Sequence, residues 1–190
     1  MQPEELIVFV NEDGTPTGET GPKLQSHTDK TKLHLAFSCY IFRKNDSKFL
    51  ITQRAQTKKV WPNVWTNSVC GHPGPNEPIE SAILRRAQYE LGITTLEDIK
   101  PVLPTYRYTT PPNNGIIENE FCPVFIAWTN DKPQPNPEEV NAFHWITWHE
   151  YTNMMAFESH KMSYWANDQY QQLKALEPFR TLAAQNPNLK

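Results

Sequence analysis

The sequence predicts an α/β (α+β) domain in which a mixed β-sheet packs against helices. Three observations carry this. Residues 33–42, 120–128 and 142–148 have the alternating or continuously apolar pattern of strands. Residues 77–91 repeat their apolar side chains at helical spacing. Strands and helices do not alternate regularly, which excludes a simple parallel βαβ array.

In chain order, Leu-Ile-Val-Phe-Val at 6–10 reads as a strand closed by the turn Asn11-Glu-Asp-Gly14. In the strong strand 33–42, Leu33, Leu35, Phe37, Cys39 and Ile41 lie on one parity, with His34, Ala36, Ser38 and Tyr40 on the other. Asn45-Asp-Ser47 turns the chain, so 49–54 is expected to return as a hairpin partner. Residues 64–70 form a further strand, ended by Gly71-His-Pro-Gly-Pro-Asn76. The helix over 77–91 has acids in its first turn and Gly92 as a stop. Strands 120–128 and 142–148 flank a loop stiffened by Pro133, Pro135 and Pro137. From about 149 the chain is expected to be helical to about Gln185, with a break at Pro178.

With 190 residues the chain holds enough material for a single domain, 1–190. Its 18 Lys/Arg and 21 Asp/Glu give −3, without the basic footprint of a nucleic-acid binder. No window approaches the roughly 20 apolar residues of a membrane span. The charge is uneven: residues 21–60 carry nine Lys/Arg against two acids, +7, leaving −10 on the rest. Such a patch is either a solvated face or a local site for a small anion. Three cysteines and a start without a basic, apolar leader lead us to expect a cytoplasmic protein, a monomer or weak homodimer.

The helix carries an anomaly. At 100° per residue, Arg86 and Glu90 fall within about 20° of Ile79, in the middle of the apolar stripe. Mutual pairing at i, i+4 offsets only part of the cost of desolvating both charges, so outside partners are expected.

These residues also carry a resemblance. Gly71, Glu77, Arg85, Ala87, Glu90, Gly92 and Ile93 match the Nudix box, G-x5-E-x7-R-E-U-x-E-E-x-G-U, while Arg86 and Tyr89 stand at two of its Glu positions. Around the box, Gln25-Ser-His27-Thr, Leu33-His-Leu-Ala-Phe-Ser38, the run Trp65-Thr-Asn-Ser-Val-Cys-Gly-His72 and Glu118-Asn-Glu-Phe-Cys-Pro-Val-Phe125 resemble type 1 isopentenyl diphosphate isomerase. The resemblance implies a Nudix-like mixed sheet between helices. The implied activity interconverts isopentenyl and dimethylallyl diphosphate by a 1,3-proton shift in isoprenoid biosynthesis.

It further implies that His27, His34, His72, Glu118 and Glu120 hold one divalent transition metal (Mn, Zn or Fe), an N/O donor set suited to such ions. From the residues alone, each His is as readily a hydrogen-bonded core side chain. A second ion, Mg, is implied at Glu90 and the Cys70 main-chain carbonyl, with Lys23, Arg54, Lys58 and Arg86 binding the diphosphate. Cys70 and Glu120 match the acid/base pair, and Tyr108 matches a tyrosine that hydrogen-bonds this Glu. Taken by themselves, Cys70 reads equally as an inert buried thiol and Tyr108 as a half-buried aromatic. The family's carbocation-facing Trp has no direct counterpart: after Ala156-Phe157 comes Glu158-Ser-His-Lys-Met162, and counting puts His160 near its position. Trp165, after a local shift, or Trp65, from another side, is expected to serve. The competing readings are a Nudix diphosphohydrolase and a non-catalytic metal- or diphosphate-binding module.

Overall fold

The computed structural model describes residues 5–184. Two mixed sheets are laced together by two chain segments that each serve both. The smaller sheet contains β1 (Leu6–Val10), β2 (Pro16–Pro22), β3 (His34–Leu35), β9 (Arg107–Thr109) and β10 (Asn119–Phe121), in the order β2-β1-β3-β10-β9. The larger follows the order β12-β5-β4-β11-β8, from β4 (Phe37–Arg43), β5 (Phe49–Arg54), β8 (Glu97–Leu103), β11 (Val124–Thr129) and β12 (Val140–Ile146). The short β6 (Trp65–Thr66) and β7 (Val69–Gly71) add to β5 and β4.

The expected strand over 33–42 is therefore two strands, β3 and β4, which change sheets at Ala36. The expected strand over 120–128 divides likewise, into β10 and β11, at Cys122-Pro123. There Pro123 has no N–H to give a ladder. Both pairs run parallel, β3 with β10 and β4 with β11, and Ala36 N (2.9 Å to Phe121 O) and Ser38 N (3.1 Å to Pro123 O) stitch the parting. The expected strand over 64–70 also breaks in two, because Asn67 and Ser68 turn their side chains onto neighbouring main chain.

The larger sheet is covered on both faces, so β4 has no solvent side. Phe37, Cys39 and Ile41 pack on α2 (Ile79–Leu91) through Ala82, Ile83, Ala87 and Leu91. Tyr40 and Phe42 face α3 (Trp148–Phe157), α4 (Tyr164–Leu173) and α5 (Phe179–Ala184) through Trp148, Tyr151, Leu173 and Phe179. Each such side chain is worth about 1.5–3 kcal/mol of burial. This is the mixed sheet between helices that the sequence predicts.

Several boundaries differ from expectation. Pro78 delays α2 to Ile79. Gly92 ends it at φ +65, where a Cβ would lie 2.9 Å from Gln134 Cβ. Strand β5 meets β4 only at Phe42↔Phe49 and pairs along its length with β12 instead. The helical tail is three helices with a 3-10 turn, Ser159–Lys161, between the first two; Gln185 lies outside the described residues. Strands β2, β8 and β9 and the single-turn α1 (Lys23–Ser26) have no apolar alternation to announce them.

Candidate active site

The parting of the sheets places the histidines. In the smaller sheet Glu120 pairs in register with His34 on one side and Tyr108 on the other, so the three side chains stand abreast. Tyr108 donates to Glu120 Oε2 at 2.8 Å. His72 arrives from the larger sheet, just beyond β7, and His27 from the end of α1. The ligand atoms of His27, His34, His72 and Glu120 lie within 4.8 Å of one another. Glu118 joins through His27, its Oε2 3.3 Å from Nε2.

The tautomers follow from the main chain. His27 Nδ1 is 2.6 Å from Lys23 O and His34 Nδ1 2.9 Å from Lys32 O, and a carbonyl only accepts. Each Nδ1 therefore carries a proton, which turns both Nε2 atoms toward the same cluster. His34 Nε2 and His72 Nε2 are 3.2 Å apart, and His72 Nε2 is 3.1 Å from Glu120 Oε1, while buried His72 Nδ1 has no hydrogen-bond partner among the described residues. Burial, aided by Lys23 and His34, pulls the His72 imidazole down to about 4, so it is neutral. Convergent imidazole nitrogens beside a carboxylate, two of the rings held at their far nitrogen by a carbonyl, fit a divalent transition ion.

The Nudix-box residues brace this cluster. Arg85 makes two 2.7 Å hydrogen bonds to Glu77 and a third, 3.1 Å, to His72 O, while Glu77 accepts from Gly74 N at 2.7 Å. A Cβ on Gly71 would come within 2.8 Å of Arg86 Cγ, so this glycine lets β7 and α2 close.

That contact opens the cationic end of a cavity of about 600 Å³. Lys23, Arg54, Lys58 and Arg86 all line it. Arg86 does pair with Glu90, at 2.6 and 2.9 Å, and also finds the outside partner its position demands, Glu139, at 3.3 Å. Its guanidinium lies 5.1 Å from the Tyr89 ring, so the two departures from the box sit together. Lys58 bonds Glu139, Lys23 bonds Glu5 at 2.8 Å, and Arg54 donates to Trp61 O and Val60 O at 3.0 and 3.1 Å. Burial raises the Glu90 carboxyl despite Arg86.

Cys70 lines the same cavity, its Sγ 3.1 Å from Asn67 Oδ1 and 3.4 Å from Ser38 Oγ. Burial pushes its thiol up to about 12, so its proton is in place at neutral pH. Asn67 Nδ2 donates to Cys39 O and Val69 O, which turns Oδ1 toward both Cys70 and Trp165 Nε1, 3.2 Å away. Trp165 lines the cavity beside Tyr108, their rings 6.2 Å apart. Ser163 caps α4 and its N–H bonds Trp65 O at 2.7 Å, seating the Trp165 indole in the first turn.

Trp65 is not among the residues that line the cavity. Its ring stacks on His144 at 4.9 Å, and its part is to hold Ser163 by main chain. His160, reached by counting, is exposed on the 3-10 turn, because residues 158–162 loop out ahead of α4. Cys39 is buried in the α2-facing core and Cys122 behind Ser38, 3.5 Å from its Oγ. The sequence reading missed Glu139, Asn67 and Ser38; only the acids after Pro137 hinted at the first.

Residues 32–166 match the NUDIX domain family. A Saccharopolyspora erythraea protein named Isopentenyl-diphosphate Delta-isomerase is 44% identical over 172 residues, 90% of this chain and 87% of its own. Another of that name from Paenarthrobacter aurescens is 51% identical over 148 residues, 77% of this chain and 78% of its own. Among solved structures, DR0079 from Deinococcus radiodurans superposes with a TM-score of 0.64 at 20% identity, covering 88% of this chain and 98% of its own. A MutT protein from Methanosarcina mazei gives 0.56 at 14%, covering 74% and 91%. These last two speak to the fold alone.

Proposed function

The chain belongs to the isopentenyl-diphosphate Delta-isomerase family, built on a NUDIX domain, and from that premise we propose how its cavity carries out the isomerisation. It interconverts isopentenyl and dimethylallyl diphosphate by a 1,3-proton shift. A proton added to the terminal carbon of isopentenyl diphosphate leaves tertiary carbocation character at C3. A proton lost from C2 then leaves its electron pair as the C2–C3 double bond. An acid and a base must reach a flat five-carbon unit in a site closed to water.

One observation carries the residue assignment. A protonated thiol, Cys70, and a tyrosine-bonded carboxylate, Glu120, line one cavity with the Trp165 and Tyr108 rings, and Lys23, Arg54, Lys58 and Arg86 line the same cavity. Cys70 and Glu120 exchange protons with the substrate. Tyr108 holds Glu120 in its orientation, and the electron-rich face of Trp165 stabilises positive charge between them. Lys23, Arg54, Lys58 and Arg86 anchor the diphosphate, the arginines by their planar forks.

His27, His34, His72, Glu118 and Glu120 would hold a divalent transition ion. Bound there, it lowers the proton affinity of the Glu120 carboxylate. Glu90 and the Cys70 carbonyl would hold Mg. The four cations with Glu5, Glu90 and Glu139 leave only +1 for a multiply charged diphosphate, so a further divalent charge fits that end. Cys70 must stay a thiol in this role, which suits a reducing compartment such as the cytoplasm.

The decisive experiment incubates purified protein with isopentenyl diphosphate, Mg²⁺ and Mn²⁺ or Zn²⁺. Dimethylallyl diphosphate is the expected product. Released phosphate would mark a diphosphohydrolase, and no turnover by metal-replete protein would mark a binding module.

A further inference from the structure

Glu139 has no part in the site as assigned above, yet a single oxygen of it, Oε2, meets both Lys58 Nζ and Arg86 NH2. Its side chain is only 14% exposed and lines the cavity. The main chain fixes it there. Ala55 N donates to Glu139 O at 2.9 Å, just past β5, and the preceding loop is tied to the end of α2 by Gln134 N to Leu91 O (2.6 Å) and Asn136 N to Glu90 O (2.9 Å).

One anionic oxygen shared between an ammonium and a guanidinium is the arrangement a phosphate oxygen takes between the same two groups. We propose that Glu139 is a built-in occupant of the diphosphate seat: its Oε2 holds the place of a phosphate oxygen between Lys58 and Arg86, and the incoming diphosphate displaces it. This rests on the reading of the cavity as a diphosphate site. The carboxylate keeps two desolvated cations paired and aimed while the seat is free. It also competes with the ligand, which weakens binding and speeds release of product. A diphosphate, with oxygens enough to replace it on both cations at once, displaces it better than a monophosphate does.

The test titrates inorganic pyrophosphate with Mg²⁺, at fixed ionic strength, into wild-type protein and into Glu139→Gln, Glu139→Asp and Glu138→Gln, followed by calorimetry. Removing the competing charge in Glu139→Gln should tighten pyrophosphate about tenfold and lower KM for isopentenyl diphosphate similarly. Its melting temperature should fall without ligand, where half-buried Lys58 loses its carboxylate and buried Arg86 keeps only Glu90, and recover with pyrophosphate more than the wild type gains. Glu139→Asp, with a shorter reach, should tighten binding several-fold and covers the case of a poorly folding amide variant. Glu138→Gln should change affinity less than about twofold. Equal or weaker binding by the Glu139 variants overturns the proposal, since Glu139 would then be assisting the ligand. An equal gain in Glu138→Gln overturns it too, as a general field effect. Wild-type protein that binds no pyrophosphate overturns both this and the site reading. Tighter binding in Glu139→Gln alongside a wild type that produces no dimethylallyl diphosphate leaves the seat standing and removes only the isomerase assignment.

Discussion

Replacing Tyr108 by Phe removes one oxygen and little else. The ring remains packed on Tyr106 at 5.8 Å and beside Trp165 at 6.2 Å, so the wall of the cavity keeps its shape. What is lost is the 2.8 Å bond to Glu120 Oε2, a hydrogen bond to a buried carboxylate. Bonds of that kind are worth about 1.5–3 kcal/mol. Oε1 keeps its 3.1 Å contact with His72, so the carboxylate stays in the pocket but is free to turn about it. If all of that energy supports the proton-transfer step, kcat falls by roughly 10- to 150-fold. KM should move less than about threefold, because the cations make their bonds to Glu5, Glu90, Glu139 and main-chain carbonyls. The assay is steady-state production of dimethylallyl diphosphate, with bound metal measured on the same sample. A kcat within about twofold of wild type at normal metal content refutes the argument. So does loss of metal, which would make Tyr108 a support of the cluster instead.

Cys70→Ala should abolish isomerisation while metal content is retained, and a near-normal kcat would remove the thiol from the chemistry. Trp165→Phe should keep measurable activity and Trp165→Ala should lose far more, since the first preserves an aromatic face and the second leaves a cavity worth about 3–5 kcal/mol; equal losses would argue against the ring's role. Gly92→Ala, forced to φ +65 against Gln134, should lower stability by about 1–2 kcal/mol in chemical denaturation with activity intact. Chelator-treated protein should lose stability as pH falls from about 6.5 to about 4: the fold holds His72 neutral while the unfolded chain takes up the proton, so acid favours unfolding. A melting temperature flat across that window would show that His72 is not buried as a neutral imidazole.

The parts of the fold legible in the sequence were those whose side chains meet one environment per face. Strand β4 and helix α2 declare themselves because the period of their apolar residues matches their geometry. The sheet change within 33–43 was hidden, since Ala36 continues the alternation and only the partner segment, with Pro123, forces the chains apart. In the site, chemistry showed where it contradicted its surroundings, as with Arg86 and Glu90 on a buried stripe, whereas the His and Glu set came only through the family resemblance. Trp165 was ambiguous because a five-residue excursion, 158–162, breaks register with the expected pattern. Glu139 and Asn67 were invisible because an acid after a Pro-rich loop and an amide in a short strand are ordinary in sequence. Their meaning lies in what folds against them.

Glu120 rides on the smaller sheet and Cys70 on the larger, so the slot between the proposed acid and base lies along the seam. The main chain that carries the two side chains parts where the parallel segments separate, at Ala36 and Pro123, so that parting contributes to the slot's width. Redesign toward bulkier alkenes should therefore work on the hinge of that seam, with substitutions at Ala36 and around Pro123, before any residue facing the substrate is trimmed.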